Sequence, residues 1–305
     1  MAQTPSPFLH THPHLRRART PPPPSPKGMS LCCCSAGSRS ILLPRLFLGQ
    51  RHQVRRPLLH LRAASGAAAA SSSTASLSPA QQRQVSLYVG ALLDWNQRMN
   101  LTAVTDETEV MTRHVADSLA VLHPLERAYT SRGGDIAGIS LIDVGSGAGL
   151  PGLILAVARP SWKFTLLESM RKRCTFLEHA VEVMELSNVD VVCDRAENVG
   201  QSHDFRETFD VAAARAVAEL KILAEYCLPL VRVGGLFIAA KGHDPHEEIR
   251  SAKSAVHKLG ASMLDLCNVE SMGPHGQRTA VVYLKERATP KKYPRHPGTP
   301  SKTPL

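Results

Sequence analysis

The sequence predicts an α/β protein, a doubly wound and mostly parallel sheet with a terminal antiparallel hairpin and an N-terminal helical cap. Three observations carry that expectation. From residue 139 onward short apolar runs alternate with helical stretches, the pattern of βαβ units. The last two strand-like runs have no helix between them. The first 78 residues differ so sharply in composition from the rest that they stand outside the fold.

That leading segment, 1–78, holds ten Lys/Arg and no acidic residue, with twelve Ser and ten Pro; the first acid in the chain is Asp94. The formal charge of +10 therefore belongs to the leader, because the remaining 227 residues carry 26 basic and 26 acidic side chains. Arg-rich, Ser-rich, acid-free composition is that of an organellar transit peptide. We expect 1–78 to be a disordered targeting segment directed to the chloroplast, with the mitochondrion as the alternative. The competing reading is a basic tail that stays attached and binds RNA. His12, His14 and the run Cys32-Cys33-Cys34 fall in this leader and are not read as metal ligands, so no metal is expected. Cys174, Cys193, Cys227 and Cys267 form no C-x-x-C pair and read as reduced thiols. No stretch approaches 18 uninterrupted apolar residues, so no membrane span is expected.

Order is expected to begin with a helical cap over 79–138. Ser78, Pro79 and Gln81 make a helix start, with a capping serine, a proline at the first helical position and a glutamine three residues after the cap. Val85, Tyr88, Leu92, Trp95 and Met99 then follow at steps of three and four on one apolar face. A second helix is expected over about 110–129, closed by a glycine-containing loop.

The sheet domain is expected over 139–285. Runs at 139–144, 163–168, 189–193, 209–214 and 235–241 read as buried parallel strands, with helices near 150–158, 171–186, 216–232 and 245–259 between them. Strands near 262–270 and 279–285 form the antiparallel pair. Residues 286–305 read as an extended basic, Pro-rich arm. Residues 278–305 hold seven Lys/Arg against one Glu, while 80–277 hold nineteen against twenty-five acids. The arm is therefore the expected phosphate-binding surface, through Lys285, Arg287, Lys291, Lys292, Arg295 and Lys302.

The most informative stretch runs from Leu141 to Gly152, where a buried strand ends in Asp143 and the chain turns through Gly145, Gly147 and Gly149 into a helix. A dinucleotide fingerprint fails there, because the frame that starts at the strand places Leu150 at the third glycine position. D-x-G-x-G-x-G suits S-adenosylmethionine instead, which has no pyrophosphate but carries a zwitterionic amino-acid end. In this reading Asp143 holds the ammonium, directly or through water, and the Gly145–Gly147 turn passes under the adenosine. Glu168, at the end of the next strand, accepts the ribose hydroxyls. Asp194, Ala196 and Glu197, at the end of the third, read adenine. Three acids at three successive strand ends converge on one crevice at the topological switch point. The alternative for any one of them is a helix cap.

Several motifs together resemble one family. They are Asn100-Leu101-Thr102, Arg113-His114-x-x-Asp117-Ser118, the run from Asp143 to Gly152, Ala213-Ala214-Arg215-Ala216, and the ending from Lys292-Tyr293-Pro294-Arg295 to Pro304-Leu305. Over about 80–305 the chain resembles the bacterial ribosomal RNA small-subunit methyltransferase G family, also called glucose-inhibited division protein B. The resemblance implies a class I, Rossmann-like methyltransferase that forms 7-methylguanosine in the 530 loop of 16S-type rRNA. It implies donor contacts at Gly145, Leu150, Ala196, Glu197 and Arg215, and as partner the rRNA or the assembling small subunit, with the enzyme a monomer. Glu168 stands where the family often has Asp, and Ala214 where a Ser often precedes the arginine, which loosens the transfer at those two positions.

The residues agree independently with N7 chemistry. Guanine N7 carries a lone pair and no proton, so transfer needs alignment rather than a general base. A 5-methylcytosine enzyme would want a cysteine after the fourth or fifth strand, where the chain reads Ala213-Ala214-Arg215 and Ala239-Ala240-Lys241. No residue is assigned as a chemical catalyst. Arg215 is the positioning candidate, clamping either the methionine carboxylate or an RNA phosphate; its alternative is a surface pair with Glu219. Asn100, Arg113, His114 and Asp117 divide evenly between substrate contact and capping or packing. Two other functions remain open at this point: a small-molecule methyltransferase of the organelle, and a non-catalytic ribosome-assembly factor.

Overall fold

The computed structural model describes residues 77–215, 217–273 and 276–305; the expectations for the leader, its targeting role and its His and Cys clusters fall outside the described residues. Helix α1 (Pro79–Met99) starts with the expected capping box. The Ser78 hydroxyl accepts from the Gln81 N–H at 3.3 Å, and Gln81 Oε1 accepts from the Ser78 N–H at 2.8 Å. Val85, Tyr88, Val89 and Leu92 are its buried face.

The second cap helix is not continuous. It breaks into α2 (Glu107–Val110), a π turn (Met111–Val115), α3 (Ala116–Leu119) and α4 (Leu122–Thr130). Thr112 and Ser118 donate their hydroxyls back to the carbonyls of Thr108 and His114, competing with the helical ladder. Pro124 has no N–H to offer the Ala120 carbonyl one turn earlier, which accounts for the break before α4.

The sheet follows expectation strand by strand: β1 (Ser140–Val144), β2 (Lys163–Glu168), β3 (Val189–Cys193), β4 (Phe209–Arg215), β5 (Val231–Lys241), β6 (Ala261–Gly273) and β7 (Gly276–Lys285). Between them lie α5 (Gly152–Ala158), α6 (Arg171–Val183), α7 (Ala196–Val199), α8 (Leu220–Cys227) and α9 (His246–Lys258). The helix expected over 216–232 is shortened at its end, where Pro229 cannot donate. The strand order is β3-β2-β1-β4-β5-β7-β6, with β1 to β5 parallel and the last two antiparallel. The chain winds from β1 outward to β3, then crosses back to place β4 on the other side of β1. The switch point therefore opens at the C-terminal ends of β1 and β4, where loops leave the sheet in opposite directions. Helices α1, α5 and α6 and the cap cover one face, and α8 and α9 the other. Among the described residues no helix is long and apolar enough to cross a membrane.

The C-terminal segment corrects the expectation of an extended, RNA-facing arm. Tyr293 and Pro294 are buried, and a short helix, α10 (Thr299–Lys302), follows. Arg295 makes a forked contact with the fully buried carboxylate of Glu225, at 2.7 Å for Nη2 to Oε2 and 2.9 Å for Nε to Oε1. Lys285 is 0% exposed. Its ammonium donates to Leu228 O, Val231 O and Thr289 Oγ1 and lies 2.9 Å from Glu207 Oε1. Arg287 is bonded to the His257 carbonyl. Lys285 and Arg295 are thus not available to phosphate; Lys291, Lys292 and Lys302 are exposed. The sequence count of charges was right, but a count does not say which cations meet internal carbonyls and carboxylates.

Burial pulls the Lys285 pKa down to about 8, with Glu207 opposing the shift. Replacing this lysine by alanine removes the cation paired with Glu207 and a donor to two buried carbonyls. Lys285→Ala should lower unfolding free energy in urea by roughly 3 kcal/mol, and Lys291→Ala, on the surface, by less than about 0.5 kcal/mol. Equal effects would contradict this placement.

Candidate active site

The turn after β1 is built from below. Asp143 is fully buried; its Oδ2 accepts from the Gly152 N–H at 3.0 Å, and Ser146 Oγ donates to its main-chain carbonyl at 2.9 Å. Gly145 N and Ser146 N both donate to Leu167 O on β2, at 2.8 and 3.1 Å. Gly145 has φ +75°, and a Cβ there would lie 2.7 Å from Val217 Cγ2, so the loop passes the opposite wall at glycine distance. Tyr88, buried on α1, donates its hydroxyl to Ala148 O at 2.8 Å and fixes the far side of the turn.

Above this turn lies a cavity of about 350 Å³ whose walls include Gly145, Gly147, Leu150, Glu168, His114 and Arg215. A narrower slot of about 100 Å³ adjoins it, sharing Gly145, Ser169 and Val217 and adding Ala196, Glu197 and Tyr226. Seven of the eight expected donor contacts are thus gathered on one continuous crevice. The exception is Asp143, which lines neither space. Its Oδ2 holds Gly152 while its Oδ1 is buried without a hydrogen-bond partner, and burial pushes its pKa up to about 6, against the pull of the Gly152 N–H. Its Oδ2 shapes the turn.

Glu168 is placed as expected, 4% exposed at the end of β2. Its Oε2 accepts from Gly147 N at 3.0 Å and its Oε1 from Met170 N at 2.8 Å. Two backbone donors orient the carboxylate and leave lone pairs for hydroxyls in the cavity. Asp194 lines the narrower slot beside Ala196 and Glu197, its Oδ1 accepting from Arg195 N and Asn198 Nδ2 at 2.7 and 2.8 Å.

The cap motif divides by residue. Asn100 ends α1 in the left-handed conformation, φ 50°, which is a capping role. The loop beyond it is held by Asn96, which bonds Thr102 N and Thr102 O, both at 2.9 Å. The π turn carries Arg113 and His114. Arg113 pairs with Glu109 at 3.0 Å. His114 reaches the cavity wall, with Nδ1 3.1 Å from the Arg113 carbonyl and Nε2 2.7 Å from Thr102 Oγ1. A carbonyl only accepts, so Nδ1 bears the proton and the Nε2 lone pair is taken by the threonine hydroxyl. Burial lowers the His114 pKa to about 4, and the positive charge of Arg215 adds to the shift. The ring is neutral at physiological pH and is a poor proton acceptor. Asp117 is buried against Arg278, 2.5 Å away across the cap–sheet boundary.

Arg215, the last residue of β4, faces the turn of β1 across the crevice. It is not paired with Glu219, which contacts Lys221 instead at 3.0 Å. Among the described residues no carboxylate forms an ion pair with it. Burial lowers its pKa, and Asp117 opposes that most. A guanidinium so placed at a cavity wall is suited to a carboxylate or phosphate. Arg173, 3.8 Å from Glu168, adds a second cation at the rim. Sequence reading passed over Arg173, Tyr88 and Arg278. The one available signal was a hydroxyl-bearing Tyr88 inside an otherwise apolar stripe.

The family model described as rRNA small subunit methyltransferase G matches residues 81–275. The chain is 42% identical over 230 residues to the ribosomal RNA small subunit methyltransferase G of Bacillus cytotoxicus, covering 75% of this chain and 93% of that one. It is 44% identical over 229 residues to the protein of the same name from Alkaliphilus oremlandii, covering 75% and 92%. This chain belongs to that family. Among solved structures, the chain is similar to M. jannaschii TYW2 in complex with AdoMet, with 12% identity and a TM-score of 0.42 over 54% of this chain and 76% of that one. As a member of the methyltransferase G family the chain is a class I methyltransferase, and its cofactor is S-adenosylmethionine. The glycine turn and the oriented Glu168 carboxylate fit that donor: the turn leaves no room for a Cβ at Gly145, and Glu168 keeps acceptor capacity.

His114 also sets a pH dependence. Its folded pKa of about 4 lies below the ordinary 6.5, so its contribution to stability is complete above about 6.5. As the pH falls from there toward 4, the unfolded chain takes up the proton first and stability is lost. The loss of unfolding free energy between pH 7 and pH 5 should be larger in the wild-type chain than in His114→Gln, read by urea melts at both pH values. Identical losses would show that the ring is not held neutral by the fold.

Proposed function

We propose that the chain methylates N7 of a single guanine in the 530 loop of an organellar small-subunit rRNA, in the chloroplast ahead of the mitochondrion. The observation that carries the reading is the pairing of a donor turn with a facing wall that holds a cation, Arg215, and a neutral imidazole whose lone pair is already engaged. Such a wall can position a base but is poorly suited to remove a proton. Guanine N7 has no proton to remove, which is the chemistry this wall serves. No described cysteine lines the crevice, as attack on a pyrimidine C5 position would require.

The donor supplies an electrophilic sulfonium methyl. Gly145, Gly147 and Leu150 cradle it, Glu168 holds the ribose hydroxyls, and Ala196 and Glu197 take the adenine. Arg215 clamps the donor carboxylate or a phosphate of the target nucleotide. Both roles fix one reactant against the other, and that alignment is the principal rate contribution the residues make. An unpaired loop nucleotide reaches such a crevice at lower unstacking cost than one in a duplex. Exposed Lys291, Lys292 and Lys302 remain as phosphate contacts for the rRNA or the assembling subunit. The acid-free, Arg- and Ser-rich leader supports organellar import.

The test is to map 7-methylguanosine in organellar small-subunit rRNA by reduction and aniline-induced scission. Wild-type organelles should show one cut in the 530 loop, absent when the gene is removed. Arg215→Ala should reduce the signal on the order of a hundredfold in initial rate. Scission that persists without the gene would overturn the proposal.

A further inference from the structure

The adenine slot is walled partly by residues that the C-terminal segment holds in place. Glu197, 3% exposed, lies in the first turn of α7, a helix of only four residues. Its Oε1 accepts from the Gly298 N–H at 2.8 Å, from 101 residues further along the chain, and from Arg195 Nη2 at 3.3 Å. Tyr226, on α8, lines the same slot, and the Ser301 hydroxyl donates to Gly298 O at 3.1 Å, bracing the residue whose N–H meets Glu197. One residue before Tyr226 stands Glu225, 0% exposed and gripped by Arg295 through its backbone N–H at 2.8 Å and its guanidinium at 2.7 Å. The segment is also pressed onto the residues that end α7. Gln201 Nε2 donates to Pro294 O at 2.8 Å, and a Cβ on Gly200 would lie 2.8 Å from Pro294 Cγ.

We propose that the segment from Tyr293 to Ser301 is a positioning element of the donor site, which uses the Arg295–Glu225 pair as its anchor and the Gly298 N–H, braced by the Ser301 hydroxyl on Gly298 O, to set Glu197. This rests on the reading that the slot takes the adenine of S-adenosylmethionine. A four-residue helix cannot by itself hold a buried carboxylate in one rotamer. Oε1 is engaged by Gly298 and Arg195 Nη2, and Oε2 accepts from Arg195 Nε at 3.4 Å, so Oε2 keeps one lone pair to accept from an exocyclic amino group. A carbonyl at that position, as in hypoxanthine, would meet the carboxylate oxygen to oxygen. The arm therefore tunes discrimination between an amino and a carbonyl purine without touching the ligand. Arg295 is a positioning residue, not a phosphate contact.

The experiment measures calorimetric affinities of the full chain for S-adenosylhomocysteine and S-inosylhomocysteine. The wild-type chain should prefer the adenosyl compound by tenfold or more, and Glu197→Ala should erase most of that preference. Arg295→Met alone strands a buried carboxylate, so the double variant Arg295→Met/Glu225→Met, which removes both charges, is measured with it. The double variant should retain a cooperative urea transition and lose at least threefold of the preference. Ser301→Ala, at an exposed position, should weaken both ligands about twofold and leave unfolding unchanged. A folded double variant with the full preference, beside a Glu197→Ala that lacks it, would overturn the positioning role. Full preference in Glu197→Ala would instead show that the slot does not take adenine, and the proposal would fall with that reading.

Discussion

The buried hydrogen bond from the Gly152 N–H to Asp143 Oδ2 is the contact from which the site is built. It joins the last turn of β1 to the first residue of α5 across the glycine loop, and a Cβ on Gly152 would lie 2.8 Å from that oxygen. All seven residues of α5 are buried, so the helix has no freedom to compensate for a displaced loop. From α5 the constraint passes outward. Gln81 on α1 donates to Val157 O at 2.7 Å, and Tyr88 on the same helix returns to the loop at Ala148. The N-terminal half of α1 is thus fastened both to α5 and to the turn. The acid that holds this turn also sits where a ligand contact would be sought.

The strands, the capping box and the glycine turn were legible because each rests on local chemistry that a sequence displays directly. Alternating apolar runs fixed five parallel strands, and the missing helix between the last two marked the antiparallel pair. The convergence of Gly145, Leu150, Glu168, Glu197 and Arg215 on one crevice was legible as well, since strand ends in a doubly wound sheet must meet at the switch point. The rest depended on distant partners. Nothing near Lys285 in sequence announces Glu207 or the carbonyls of Leu228 and Val231, and nothing near Arg295 announces Glu225. The π turn was hidden for a different reason. Its residues have ordinary helical propensity, and the side-chain bonds of Thr112 and Ser118 to the backbone break the ladder.

That turn matters for function because it brings His114 to the crevice with both ring nitrogens already engaged. π turns recur at functional sites, where they rotate a side chain out of the regular helical face. Here the rotated imidazole meets Thr102 from the loop that follows α1, so two motifs of the cap close one wall. The wall is cationic through Arg215 and neutral through His114, and the acid behind it, Asp117, is directed to Arg278. Alignment and electrostatics are what such a surface offers. Proton abstraction is not.

The central claim is therefore a claim about which atom accepts the methyl group. The most direct measurement is a reconstituted single-turnover reaction with the purified chain, trideuteromethyl S-adenosylmethionine and small-subunit rRNA, read by mass spectrometry of the digested nucleosides. The account predicts label in 7-methylguanosine alone, at one site per rRNA, with the rate showing no histidine ionisation near pH 6.5. Label in a methylated cytidine or adenosine, or a rate that rises with such an ionisation, would contradict it.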